Sequence, residues 1–345
     1  MMEMDDLYKK YRAIKECLNS GIFLWGAGTN GGWCLDYCQR EGFKIRGFID
    51  SNPLRKEING VEIVPIEKYR EEWKNHPVLV TAKHSAGEIL KNNKDIPLIM
   101  SFDAFFLIDH LMEYESLEFF DEESYKVLDA LKEYMLTSKP DVLYKVTCHD
   151  QYFAIPSFFN TGNENFVDLG AYTGDTIEEF LFQHHGSFQH IWAFEPGEKQ
   201  FRALEIRLER LVQEWALDRS KITIEKKGVG PLSKCGYMTD SDHLLGMQVS
   251  EQGDNRIEVV SLDDYFTDHD RVSFIKSDIE GLEFDMLQGA ERTIRKQHPK
   301  LAISVYHKPD DLIRIYQLIK SLDHTYRFSI RNHSSLMMDT VLYCY

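Results

Sequence analysis

Two glycine loops and one acidic turn carry the residues of this chain whose types and spacing could do chemistry. In FLWGAGTNGG, residues 23–32, Gly26, Gly28 and Gly31 form GxGxxG, and Asp50 closes the next apolar run, FKIRGFID. After a strand and before a helix, such glycines let the backbone approach a pyrophosphate at the helix N-terminus, and the acid hydrogen-bonds a ribose hydroxyl. The same glycines would also serve if they only let helix and strand pack closely. In FVDLGAYTGD, residues 166–175, Asp168, Gly170 and Gly174 form DxGxxxG, and Glu195 closes the next run, HIWAFEP. An acid there again suits a ribose diol. A carboxylate at the loop entrance, however, opposes a pyrophosphate and suits a cation. S-adenosyl-L-methionine, a sulfonium with a ribose and no phosphate, fits this second loop better than a nicotinamide dinucleotide. Asp168 as a helix cap or buried turn residue is the competing reading.

The third motif is VSFIKSDIEGLEFDMLQGAE, residues 272–291. A buried strand would deliver Lys276 and Asp278 to its carboxyl end, Gly281 would break the chain, and a helix would present Glu283 and Leu287 four residues apart. Asp278 and Glu280 then lie where open α/β sheets put their ligands, and His307, in VYHKPDD, takes the equivalent place after the next strand. An acid and an imidazole on one crevice suit a general base. His307 is the first candidate because it titrates near neutrality, and Asp278 is the second, or else orients His307. Asp278, Glu280 and His307 could chelate a metal, but nothing in their spacing requires one and none is expected.

The elements that must hold these residues read as two α/β units. Residues 7–19 suggest a helix, and GIFLWGAG, FKIRGFID, HPVLVTAK and DIPLIMSF suggest strands alternating with helices, which makes a parallel sheet covered on both faces. This unit spans residues 1–110. Residues 111–140 form a helical connector packed on one domain, with Val127, Leu128, Leu131, Tyr134 and Met135 at helical spacing. Residues 141–345 form the second unit, from NFVDLG, HIWAFEP, KITIEKKG, VSFIKSD and KLAISVYH. A closing hairpin, YRFSIRN…TVLYCY, would place an antiparallel strand at or near the sheet edge. Cys34 and Cys38 read as small core residues, His184–His185 as a helix end, and Phe201, Leu204, Ile206, Leu208 and Leu211 as packing.

Lys and Arg number 40 against 56 Asp and Glu, a formal charge of −16. That balance argues against nucleic acid and anionic membrane as partners. The six cysteines show no paired spacing, the start MMEMDDLYKK lacks a signal-like apolar core, and LIMSFDAFFLI is too short to span a bilayer. A cytoplasmic protein with a small-molecule or glycan substrate is expected, and its oligomeric state is open.

FVDLGAYTGD, FEPGEKQF, EVVSLDDYF, IKSDIEGLEFDMLQGAE and SVYHKPDDL, in this order, resemble the FkbM family of S-adenosylmethionine-dependent methyltransferases. The resemblance covers about residues 145–345, and IKSDIEG…LQGA is its most specific part. It implies a class I methyltransferase sheet behind a Rossmann-like N-terminal domain. Phe166 to Asp175, with Ala171 and Tyr172, would form the methionine-side loop, and Glu195 with Pro196 the ribose acid. Lys227 and Gly228 would be the adenine wall, with Asp278 and Glu280 beside the cofactor. Family members typically methylate oxygen, often on sugars or glycosylated small molecules, by in-line displacement. The family fixes no base. A nucleotide in the N-terminal domain is the second cofactor to consider. The rival readings are a nicotinamide-dependent sugar-nucleotide reductase or epimerase, and a non-catalytic nucleotide-binding protein. Against the former, residues 32–110 lack an obvious Tyr-x-x-x-Lys pair: Tyr69 is followed by Arg70, Glu71, Glu72 and Trp73.

Overall fold

A computed structural model describes residues 2–51, 55–159, 161–238, 249–250 and 255–345. The first sheet is built from β1 (Ile22–Trp25), β2 (Ile45–Ile49), β3 (Glu57–Ile58), β4 (Val61–Val64), β5 (Val78–Val80) and β6 (Ile99–Ser101). Their order is β3-β4-β2-β1-β5-β6, parallel apart from the short β3. Every residue of β1 is buried, as an apolar run covered on both faces must be. The helix Thr29–Arg40 follows and buries Gly31, Cys34, Leu35 and Cys38, one helical stripe, along with Tyr37. The helix expected near residues 7–19 spans Met2–Cys17.

The second unit contains β7 (Asn165–Leu169), β8 (His190–Phe194), β9 (Ile222–Glu225), β10 (Lys227–Val229), β11 (Lys234–Met238), β12 (Val249–Ser250), β13 (Asn255–Val260), β14 (Phe274–Ser277), β15 (Lys300–Ser304), β16 (Phe328–Asn332) and β17 (Thr340–Cys344). Seven of these make the main sheet, in the order β16-β17-β15-β14-β7-β8-β9. β17 runs antiparallel between β15 and the edge strand β16, the place expected for the closing hairpin. The run KITIEKKG is two strands rather than one. The main-sheet strand stops at Glu225, and from Lys227 the chain joins a second sheet, β10-β13-β11-β12. The helix Glu198–Glu214 buries Leu204, Leu208 and Leu211, but Ile206 is 72% exposed because it lies two residues off that stripe.

The connector helix, Glu122–Thr137, packs on both units rather than one. Asp121 caps it through Ser124 N (2.9 Å) and lies 3.1 Å from Arg331, and Ser124 Oγ accepts from Ile330 N of β16. At its other end Ser101 Oγ of β6 donates to Met135 O (3.3 Å). One apolar core runs through it, from Leu24 and Phe105 to Ile330 and Leu342. The helix after β1 and the turn after β5 meet the segment after β15. Trp33 lies edge-on to His307 at 5.4 Å, Lys83 Nζ donates to Tyr306 O (3.1 Å), and Arg40 lies 2.5 Å from Asp310. Among the described residues, no helix is long and apolar enough to cross a membrane.

Candidate active site

β7 and β14 are parallel neighbours whose register sets Asp168 beside Lys276. Both side chains are buried, with Lys276 Nζ 2.9 Å from Asp168 Oδ1. The ammonium also donates to the carbonyls of Leu169 (3.3 Å) and Gly170 (2.8 Å), pinning the start of the glycine loop. Burial lifts the Asp168 carboxyl above its ordinary range against the pull of Lys276. Burial would lower Lys276, but Asp168 and Asp278 outweigh it and hold its pKa up. Asp168 is therefore not a free carboxylate at the loop mouth. Its charge is met inside the strand, and the electrostatic preference for a cationic ligand expected from it loses that basis.

The loop itself is tightly determined. Gly170 (φ 75°), Tyr172 (φ 46°) and Gly174 (φ 84°) take left-handed conformations between β7 and the helix Asp175–Gln183. A Cβ on Gly170 would stand 1.9 Å from the Asp278 carbonyl oxygen, so only glycine lets the loops after β7 and β14 touch. Ala171 is buried, Tyr172 half-buried, and Asp175 exposed in the first helical turn. Glu195, at the end of β8, spans the loop: Oε2 accepts from Tyr172 N (2.9 Å) and Oε1 from Gly197 N (2.7 Å), past the half-buried Pro196. Burial pushes its pKa up to about 7, against the lowering effect of those two amides.

Asp278, Glu280 and His307 converge as their positions after β14 and β15 imply. His307 Nε2 lies 3.5 Å from Asp278 and 3.9 Å from Glu280, and Nδ1 lies 3.2 Å from Glu283. Burial would depress the imidazole, but Glu283, Asp278 and Glu280 outweigh it and push its pKa up to about 10. His307 is only 1% exposed, walled by Trp33, Tyr306 and the carboxylates, whereas the Asp278 side chain is 24% exposed. The neutral, reachable imidazole expected as first candidate base is not what the fold builds. Asp278 and Glu280 are the groups with an open side, and Asp278 is the one held in place by two phenols. Tyr152 Oη donates to its Oδ2 (2.7 Å) and Tyr306 Oη to its Oδ1 (3.2 Å). Burial and the nearby Asp278 raise both phenols, which keeps them protonated donors.

Tyr152, Tyr306 and Trp33 carry no spacing signal of their own. Tyr306 could have been found as the neighbour of His307. Tyr152 comes from an irregular segment with φ 71°, and Trp33 from the other unit. Lys227 sits on β10, 3.2 Å from Glu225 and 5.6 Å from the Tyr265 ring, and Gly228 is buried beside it. In the first loop, a Cβ on Gly31 would meet Gly26 O at 2.0 Å and one on Gly26 (φ 121°) would meet Ala82 N at 2.9 Å, so these two glycines serve packing. A Cβ on Gly28 would meet nothing within 4 Å. Asp50 Oδ2 accepts from Ala27 N (2.9 Å).

Residues 168–328 match the model of the methyltransferase FkbM domain. Over nearly its whole length the chain is similar to the crystal structure of methyltransferase FkbM from Methylobacillus flagellatus KT, at 23% identity. That match covers 97% of this chain and 93% of the other, with a TM-score of 0.59, a likeness of fold that takes in both sheets. Weaker similarities include an rRNA methylase from Streptococcus thermophilus (14% identity, 53% and 86% coverage, TM-score 0.34). Another is Aeropyrum pernix fibrillarin in complex with natively bound S-adenosyl-L-methionine (13%, 53% and 66%, 0.32). No curated protein matches the chain.

Proposed function

We propose that this protein, whose residues 168–328 match the methyltransferase FkbM domain, is an S-adenosylmethionine-dependent methyltransferase that acts on a hydroxyl of a sugar, glycan or glycosylated small molecule. The placement of Asp278 supports this reading most. Its carboxylate is held by two phenols and opens to solvent on one side, and its main-chain carbonyl stands against Gly170 of the donor loop.

Bound S-adenosyl-L-methionine supplies an electrophilic methyl group on a sulfonium. The residues present suit it. Glu195 faces the loop at the end of β8, where an acid accepts hydrogen bonds from a ribose diol. Residues 170–175 hold a fixed backbone surface beside it. Asp278 accepts the acceptor hydroxyl's proton during attack, a contribution of about 100-fold or more in rate. Most of the remaining acceleration comes from holding the acceptor oxygen in line, and a positioned pair can remove on the order of 7 kcal/mol of barrier. Trp33 and Lys83, from the N-terminal unit, contact His307 and the Tyr306 carbonyl, and on this reading that unit would form the acceptor-side wall. A nucleotide moiety on the acceptor would lie against Gly28.

Transfer of labelled methyl from the donor to a panel of saccharides, glycosides and sugar nucleotides, in wild type and Asp278→Asn, tests the reading. Label on a hydroxyl oxygen, lost in the variant while donor affinity is kept, is the expected result. Label only on nitrogen or carbon acceptors would overturn it.

A further inference from the structure

We propose that His307 is a positioning residue: a buried cation, clamped between Glu283 and Asp278, that holds the Asp278 carboxylate in place toward the acceptor. This role rests on the reading of Asp278 as the base. The carboxylates meet opposite edges of the ring. Nδ1 lies 3.2 Å from Glu283 on the buried side, and Nε2 lies 3.5 Å from Asp278 and 3.9 Å from Glu280 on the crevice side. Exposure falls along the same line: the side chains of Glu280 and Asp278 are partly open, whereas His307 and Glu283 are sealed. His307 therefore reaches an acceptor only through Asp278.

The surroundings call for a positive charge. Besides Asp278, Glu280 and Glu283, the ring feels Asp311, at the start of the helix Asp311–Leu322, and Asp339, just ahead of β17. Lys276 is paired with Asp168, and Lys308, next to His307 in the chain, acts on Asp311 and on Asp36 of the first unit. At low dielectric, carboxylates this close repel strongly, and one imidazolium between them offsets that repulsion. Among the described residues, neither ring nitrogen has an aligned hydrogen bond, so the ring is held by charge and packing. Tyr306 stacks on it at 4.1 Å, and Trp33 closes it from the first unit at 5.4 Å. Glu283 is itself fixed, because the Ile279 amide donates to its Oε1 at 2.8 Å. Without the cation, Asp278 would face Glu280 and Glu283 with no charge between them. Repulsion would then turn the carboxylate off Tyr152 and Tyr306. A misplacement of about 1 Å at a reacting group can cost on the order of 100-fold in rate.

Nitrogen NMR of the full chain with labelled histidine reads the ring directly, its signals assigned by their loss in His307→Gln or His307→Asn. Both ring nitrogens should stay protonated at pH 8. With a saccharide that the wild type methylates, His307→Gln should lower kcat about 100-fold and leave the acceptor KM within about threefold. Glu283→Gln keeps the size and the Ile279 bond but removes one of the charges that hold the proton. The imidazole of this variant then loses its proton at lower pH. Its kcat should fall as pH rises, about tenfold per unit above the new pKa, while wild-type kcat stays level between pH 8 and 9. Thermal melts identify variants that fail to fold, and if both His307 variants do, the Glu283→Gln profile decides. A neutral wild-type ring at pH 8, a folded His307→Gln with kcat within twofold of wild type, or a Glu283→Gln profile as level as the wild type's would overturn the role of His307 alone. A wild type that methylates no hydroxyl would overturn the proposed activity, and this role with it.

Discussion

Glu195 should make donor-site affinity depend on pH in a defined direction. Its carboxyl is buried, accepts the amides of Tyr172 and Gly197, and has its pKa pushed up to about 7 by burial. The charged neighbours are Lys276, which lowers it, and Asp168, which raises it. A ribose diol donates to the carboxylate and not to the acid, so S-adenosylhomocysteine should bind more tightly as pH rises through 7 and level off above 8. One unit below the pKa about one site in eleven is ionised, which makes binding at pH 6 about tenfold weaker than the plateau. The ligand-free protein responds with the opposite sign. A carboxyl raised from 4.5 in the unfolded chain to about 7 contributes stability that is full below pH 4.5 and lost as pH rises through 7. At most that is about 3 kcal/mol. Glu195→Gln removes a charge-assisted acceptor, worth about 1.5–3 kcal/mol, or about 10- to 150-fold in affinity. It also turns an amide group toward one of two backbone N–H donors, which offsets the stability that neutralisation would bring. Calorimetric titration with S-adenosylhomocysteine at pH 6, 7 and 8 reads both effects. A flat or falling wild-type affinity, or a variant within twofold of wild type at pH 8, would refute the assignment of Glu195 to the ribose.

Lys276→Met strands Asp168 in the core and should cost about 3–5 kcal/mol by denaturant unfolding, while the Asp168→Val/Lys276→Met double variant should regain most of it. Gly170→Ala forces a Cβ into the Asp278 carbonyl at positive φ. A loss of about 3 kcal/mol is expected, with donor binding abolished, and thermal melts and calorimetry check both. Gly28→Ala should leave the melting temperature unchanged because nothing lies within 4 Å of its Cβ, and any loss of nucleotide affinity would then report a ligand on that loop. Arg40→Ala, which breaks the pair between this half-exposed guanidinium and the buried Asp310, should cost about 1 kcal/mol, because Arg314 still meets the carboxylate at 3.4 Å.

Local patterns marked the strands well, because each buried parallel strand is an apolar run that ends in a chemically distinct loop. Gly170, Gly174, Glu195, Asp278 and His307 were all legible from such endings. What escaped depends on partners distant in sequence. Asp168 reads as a loop acid until the β7–β14 register puts Lys276 beside it. His307 reads as a neutral base until Glu283 folds back against it, and Tyr152 reaches Asp278 from an irregular segment with no period to betray it. The second sheet escaped because the break after Glu225 carries neither Gly nor Pro, so its first strand reads as a continuation of β9.

The central claim is that the methyl donor lies across the loops after β7 and β8, with its ribose on Glu195. A crystal structure with S-adenosylhomocysteine tests it most directly. The expected result is a ribose diol within hydrogen-bond distance of the Glu195 carboxylate and the amino-acid end along residues 170–175. Density for the ligand at Gly26–Gly31 and Asp50 instead, with the loop after β7 empty, would contradict it.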